Sequence, residues 1–407
     1  MGDVTSTDVP AVTATAQTRN LGLATWTFAI TFWAWNLIGP LAARYTEQIG
    51  LSPTQKSLLV ATPVLVGAVG RIATGALTDR YGGRAMFAIL SFISIVPVLL
   101  VAFAGNSGSY AMLLIFGFFL GIAGTTFAVG IPFVNAWYDP ARRGFATGVF
   151  GAGMGGTALS SFFTPRFVTW FGYTATHVLI AIALAATGFL VLTAMHDSPR
   201  WHPNNDPVVP KLAAALKLPV TWTMSFLYAV AFGGFVAFTT YLPTYLTDIY
   251  AFDLTGAGTR TAGFAVAAVV ARPIGGVLSD RLHPKPVVLA SLAGTAVMAL
   301  VIATKPAPEI PAGAAFIAMA TFLGLGTGGV FAWVARRAPA ERVGSVAGLV
   351  GAAGGLGGYF PALVMGATYD EVNNDYTVGL SLLCATALIA LLFVLLRLPR
   401  EDRVGRT

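Results

Sequence analysis

Apolar residues in this chain neither alternate nor keep to one face at helical spacing. They run in long blocks of about 20 residues, the length a helix needs to cross a hydrocarbon layer roughly 30 Å thick. Twelve blocks can be drawn, at 21–43, 54–77, 84–104, 109–136, 143–165, 174–195, 219–245, 259–279, 286–304, 312–335, 343–367 and 376–397. Backbone amides in lipid must bond within their own segment, so the pattern predicts twelve membrane-spanning helices. The longest polar interruption, 196–218, carries Asp197, Pro199, Pro203, Pro207 and Pro210 and divides the blocks six and six. The expected organisation is a disordered tail at 1–20, a six-helix half at 21–195, a linker at 196–218, a second half at 219–397 and a tail at 398–407. The Thr/Ala-rich start lacks the basic and apolar regions of a signal peptide.

Composition agrees. Only 10% of the 407 residues are charged, against roughly 25% in soluble domains. The net charge of +7 could suggest a nucleic-acid partner, but its distribution points elsewhere. Lys and Arg gather in alternate loops: Arg19; Arg80 and Arg84; Arg142 and Arg143; Arg200, Lys211 and Lys217; Arg281 and Lys285; Arg336, Arg337 and Arg342; and the last residues from Arg397 on. The other loops hold Arg44, Lys56, Arg166, Arg260 and Lys305. Basic loops stay in the cytoplasm, so both termini and the linker are expected there, in a multi-pass protein of the cytoplasmic (inner) membrane. The partners implied are the lipid bilayer and a small solute, with no nucleic acid; a monomer is expected. Cys384 is the single cysteine, which excludes an intrachain disulfide or a cysteine-based metal centre. The four histidines, His177, His196, His202 and His283, fall at helix ends or in loops. Neither an enzyme nor a cofactor is expected.

The two halves repeat each other. Arg71-x3-Gly75-x3-Asp79-Arg80 recurs as Arg272-x3-Gly276-x3-Asp280-Arg281, offset by 201 residues. Arg142, Gly144, Gly148, Gly151 and Ala152 recur as Arg342, Gly344, Gly348, Gly351 and Ala352, offset by 200. Phe28 and Phe32 match Tyr228 and Phe232 more weakly. An even number of helices per half makes the repeats parallel, as in the major facilitator fold. The run Gly75 to Arg84 resembles that superfamily's loop 2–3 signature. The resemblance implies that Asp79 with Arg80, and Asp280 with Arg281, latch one gate conformation; the plainer reading is a charged turn that fixes topology.

Arg71 and Arg272 lie eight residues before their loop aspartates, which is about 12 Å into the bilayer at roughly 1.5 Å per residue. An arginine there costs about 2.5–3.5 kcal/mol even on lenient scales. All 17 acidic residues fall in the expected loops, tails or helix ends, so the counter-charge is expected to be the transported anion. The planar guanidinium fork suits a small planar oxyanion better than a lysine point charge would. Tyr228 and Phe232, four apart on the seventh segment, share a face and could wall such an anion; Phe127 on the fourth is a similar candidate. Each is equally consistent with ordinary core packing. The dense glycines of the fifth and eleventh segments have no P-loop lysine after them and read as close helix contacts.

With these residues in place, the chain resembles the nitrate/nitrite porter branch of the major facilitator superfamily over nearly its whole length. The most specific matches are Gly151-Ala-Gly-Met-Gly-Gly-Thr157 and Gly351-Ala-Ala-Gly-Gly-Leu-Gly-Gly358, with Tyr241-Leu-Pro-Thr-Tyr-Leu246 and Arg272-Pro-Ile-Gly-Gly276 beside them. The resemblance implies that Arg71 and Arg272 clamp the anion and that Phe127, Tyr228, Phe232, Gly153, Met154, Gly155 and Gly354 line its site. Met154 departs from the pattern, which commonly has asparagine there. The function it implies is alternating-access transport of nitrate and nitrite, as exchange. The alternatives are proton-coupled nitrate symport and export of another small anion.

Overall fold

The computed structural model describes residues 13–139, 142–204, 207–339 and 342–398, and among these the regular secondary structure is all helical apart from one isolated bridge between Asp370 and Asp375. The first half holds Ala14–Trp35 (α1), Ala42–Ile49 (α2), Pro53–Tyr81 (α3), Gly83–Ser107 (α4), Tyr110–Leu120 (α5), Thr126–Trp137 (α6), Arg143–Gly151 (α7), Gly156–Phe171 (α8) and Tyr173–Ala194 (α9). Val208–Leu216 (α10) follows. The second half holds Pro219–Tyr250 (α11), Leu254–Leu282 (α12), Pro284–Ala303 (α13), Ile310–Arg337 (α14), Val343–Ala367 (α15) and Thr377–Arg397 (α16). Among the described residues, 11 helical segments are long and apolar enough to cross a membrane. The remaining expected span, the fifth, is divided into α7 and α8 by a 3-10 turn at Ala152–Gly155.

The helix ends carry their own signals. Ser52 and Gln55 form a reciprocal capping box at the start of α3, and the Asp253 side chain accepts from the Gly256 amide at the start of α12. Such contacts satisfy amides that have no partner within the helix. Gly50 ends α2 at φ 73°, a conformation that favours glycine.

The described boundaries shift two expectations and add a helix to a third. The tail expected at 1–20 is helical from Ala14, because Thr13 caps the helix and the Gln17 and Asn20 side chains are tied to Trp137 and His196. The expected linker contains α10, whose last carbonyls accept from Thr221 and Trp222. The seventh span runs on to Tyr250, five residues past its expected end. Residues 1–12 and 399–407, where tails are expected, lie outside the described residues.

The halves meet along two seams, α3 against α15 and α8 against α12. Both run on small residues, as close helix approach in a membrane requires. A Cβ on Gly355 would come within 2.7 Å of the Ala68 side chain, and one on Gly258 within 2.2 Å of the Ser161 carbonyl oxygen. The outward faces expose large apolar side chains such as Val96, Phe103, Ile182, Phe189, Ile389 and Leu396, the surface a bilayer would cover.

Candidate functional site

Both midplane arginines are buried, Arg71 at 4% exposure and Arg272 at 7%. Each reaches into the opposite half. Arg71, from α3, donates through Nη1 to the Gly351 carbonyl of α15 at 2.9 Å. Arg272, from α12, donates through Nη1 to the Met154 sulfur, and its guanidinium lies 3.6 Å from where a Cβ on Gly151 would stand. Gly151 and Gly351 are themselves a repeat pair, so the two contacts are pseudo-symmetric.

One ring lies under both charges. The Phe127 centroid is 4.8 Å from Arg71 Cζ and 5.8 Å from Arg272 Cζ. Phe232 stacks on Phe127 at 6.2 Å and lies 5.6 Å from Arg71 Cζ. Tyr228 stacks on Phe232 at 5.0 Å with an interplanar angle of 6°. Ring faces carry partial negative charge and hold a cation in a dry site, so the aromatics position the arginines without neutralising them. At this site Arg71 Nε and the Tyr228 hydroxyl are buried without a hydrogen bond of good geometry, the hydroxyl lying beside Arg272. Unsatisfied buried donors are costly, and an anion accepting from them would relieve that cost.

The first half reaches this site through interrupted helices. Phe127 follows a 3-10 segment at Gly121–Thr125, and Met154 lies inside the one at Ala152–Gly155. Such mid-helix tightening rotates the residues beyond it. Their counterparts α14 and α15 are continuous.

The structure separates the expected glycines. A Cβ on Gly153 would meet the Phe28 side chain at 2.5 Å and the Thr25 carbonyl at 2.8 Å, so Gly153 packs on α1 and is not turned to the arginines. A Cβ on Gly354 would stand 2.2 Å from the Tyr228 ring; this glycine makes room for the tyrosine. Nothing lies within 4 Å of a Cβ on Gly155.

At the turns expected to act as latches, Asp79 and Asp280 are exposed. The Asp79 carbonyl accepts from the Asn204 amide at 3.0 Å, and Arg336 donates to the Asp280 carbonyl at 3.2 Å. Arg80 lies over its neighbour Tyr81 at 5.5 Å; Arg281 is exposed in the last turn of α12. The acid that binds a helix N-terminus here is Asp197, which accepts from the Arg84 amide at 3.0 Å. Burial pushes the Asp197 carboxyl above its ordinary range, against the pull of that hydrogen bond.

Comparison with known proteins places this arrangement. The family model described as Major Facilitator Superfamily matches residues 24–358, with a second match over 245–407. The chain is 64% identical over 392 residues to the "Probable nitrate/nitrite transporter NarK2" of Mycobacterium tuberculosis, covering 96% of this chain and 99% of that one. It is 32% identical to the "Nitrite extrusion protein" of Bacillus subtilis, over 93% of this chain and 94% of that one. The chain belongs to the major facilitator superfamily, in its nitrate/nitrite porter branch. The xylose transporter XylE from E. coli, in a partially occluded inward-open conformation, shares the superfamily fold at a TM-score of 0.72, with 16% identity over 97% of this chain and 100% of that chain.

Two features of this porter escaped the sequence. Phe331 of α14 stands 5.8 Å from Arg272 Cζ and meets the Tyr228 ring edge-on at 4.7 Å; its counterpart at an offset of 200 is Ile131, so the repeat does not mark it. The second is a carboxylate in the last turn of a span. Asp248 lies inside α11, its side chain 14% exposed, because α11 outruns its apolar block. Its cation is Lys56, however, and not either midplane arginine.

Proposed function

We propose that this porter carries nitrate and nitrite through the cytoplasmic membrane by exchanging one anion for the other, with both termini and the linker on the cytoplasmic side. The observation that carries the reading is the pair of buried arginines, one from each half, above a shared phenylalanine. A trigonal anion can accept from two such forks, and the stack of Phe127, Phe232 and Tyr228 gives it a flat wall. The names of the similar proteins support the same substrate class. The sidedness rests on the Lys/Arg-rich loops, and the Asp79–Arg80 and Asp280–Arg281 turns steady that end of the bundle.

The direct test is counterflow in proteoliposomes preloaded with nitrate. Labelled nitrate is expected to accumulate transiently, and external nitrite to compete far better than chloride. Competition by chloride at equal concentration would overturn the planar-anion reading.

Met154 sets affinity in this proposal. Its sulfur is a weak acceptor that occupies an Arg272 donor. An asparagine there would hold Arg272 through its amide oxygen and offer N–H to the anion. Met154→Asn is expected to tighten binding by about 1 kcal/mol, one neutral hydrogen bond. Calorimetry that found both nitrate and nitrite affinities unchanged would place residue 154 outside the anion's reach.

A further inference from the structure

At the end of the molecule away from the Asp79 and Asp280 turns, a buried polar cluster ties the halves together. Lys56, near the start of α3, directs Nζ at both oxygens of Asp248, 3.0 and 2.8 Å away. Asp248 also accepts from the Tyr376 hydroxyl at 2.6 Å. Tyr376 and Tyr241 share a hydrogen bond of 3.1 Å, and Ser57 donates to Tyr241 at 3.1 Å. Lys56 and Ser57 belong to the first half; the three others belong to the second. Lys56 stands 15 residues before Arg71 on the same helix, about 22 Å up its axis.

We infer that Lys56 and Asp248, with Tyr376 holding the carboxylate in place, form the outer gate of the anion path. An anion bound at the midplane arginines gains access to the outer side only when α3 and α11 part at this end. The other hydrogen bonds that join the halves there, Ser57 to Tyr241 and Arg166 to Thr259, are broken at little cost once water enters. The ion pair is different in kind. Its lysine side chain is 6% exposed and its carboxylate 14%, so the sealed state holds two charges out of water that only their mutual contact makes tolerable. Parting the halves gives both charges water together. Removing one leaves the other buried and unpaired, which penalises the sealed state alone. The gate therefore opens when either partner is lost. Asp248 and Tyr376 sit on the second half and Lys56 on the first, so parting the halves separates the lysine and lets water replace the Tyr376 bond that the sealed carboxylate depends on.

Val64 reports on this gate. It is 1% exposed and lies on α3 seven residues from Ser57 and seven from Arg71, two turns of the same face, between the cluster and the anion site. In a Cys384→Ser background, Val64→Cys is treated in right-side-out vesicles with a membrane-impermeant maleimide. The parent is expected to label slowly. Lys56→Met and Asp248→Asn should each label at least about tenfold faster, a modest population shift beside what loss of a buried pair can produce. The charge swap Lys56→Asp with Asp248→Lys should return labelling toward the parental rate. Parental labelling in both single variants, with normal anion exchange, would overturn the gate and leave an ion pair that only braces the fold. If neither single variant reaches the membrane, Tyr376→Phe decides: faster labelling supports the gate, and an unchanged rate refutes it. The inference rests on alternating access. Because labelling uses no anion, it can fail while the nitrate reading stands.

Discussion

Lysine in place of Arg71 or of Arg272 is expected to cut nitrate exchange by roughly one to two orders of magnitude, the loss of one charge-assisted hydrogen bond of about 1.5–3 kcal/mol, with insertion and folding intact. The charge survives the change, and the fork does not. Arg71 already spends one Nη on the Gly351 carbonyl, and its buried Nε makes no hydrogen bond. A lysine has three donors on one nitrogen, so it can hold the carbonyl and touch the anion but cannot present two parallel N–H groups to it. Arg272 is in the same position between Met154 and the anion. Exchange assays on purified, monodisperse variants decide the matter. Near-normal rates in both lysine forms would mean that field strength suffices and that the planarity of the anion is irrelevant.

The second large effect concerns what drives the cycle. Nitrate uptake is expected to require nitrate or nitrite inside the vesicle and to ignore an imposed pH gradient. In the empty carrier two guanidinium groups face one ring with no carboxylate between them. For like charges about 8 Å apart at an effective dielectric near 20, Coulomb repulsion is about 2 kcal/mol. A bound anion cancels part of it and lets the halves close, so the loaded form reorients faster than the empty one. The buried carboxylate on α11, Asp248, is engaged by Lys56 and Tyr376, about four helical turns from the arginines, so it is poorly placed to pair with the anion's carriers. Rapid uptake into anion-free vesicles under an inside-alkaline gradient, abolished by a protonophore, would refute exchange and leave the arginine pair in place.

Much of this was readable beforehand, for a physical reason. A helix in lipid has to be long and apolar, and a duplicated half repeats its exceptions at fixed spacing. Arg71 and Arg272 stood out because each breaks an apolar block at the same register. What stayed hidden depends on rotation and packing. Gly153 and Gly155 are two residues apart, yet one packs on Phe28 and Thr25 and the other meets nothing within 4 Å; the 3-10 segment at Ala152–Gly155 sets that difference. Asp248 lies past the apolar block of the seventh segment, where hydropathy ends a span, while the backbone hydrogen bonds of α11 continue to Tyr250. Phe331 has an aliphatic counterpart in the other half, so symmetry gave no hint of it.

The crossed reach of the arginines says something about ancestry and assembly. Arg71 is held by Gly351, and Arg272 lies against Met154 and Gly151. Exchange the two halves and Gly351 beside Arg71 maps onto Gly151 beside Arg272. This is the reciprocity of an isologous dimer, in which residue i meets residue j and j meets i. A single six-helix ancestor pairing with its own copy would have formed the same contact twice, with identical glycine-rich segments on both sides. Fusing the copies into one chain freed them to diverge, and residue 154 records that freedom: methionine in one copy, glycine at 354 in the other. Neither half carries a finished binding site, so cutting the chain within 196–218 should yield two fragments that recover anion binding only when produced together.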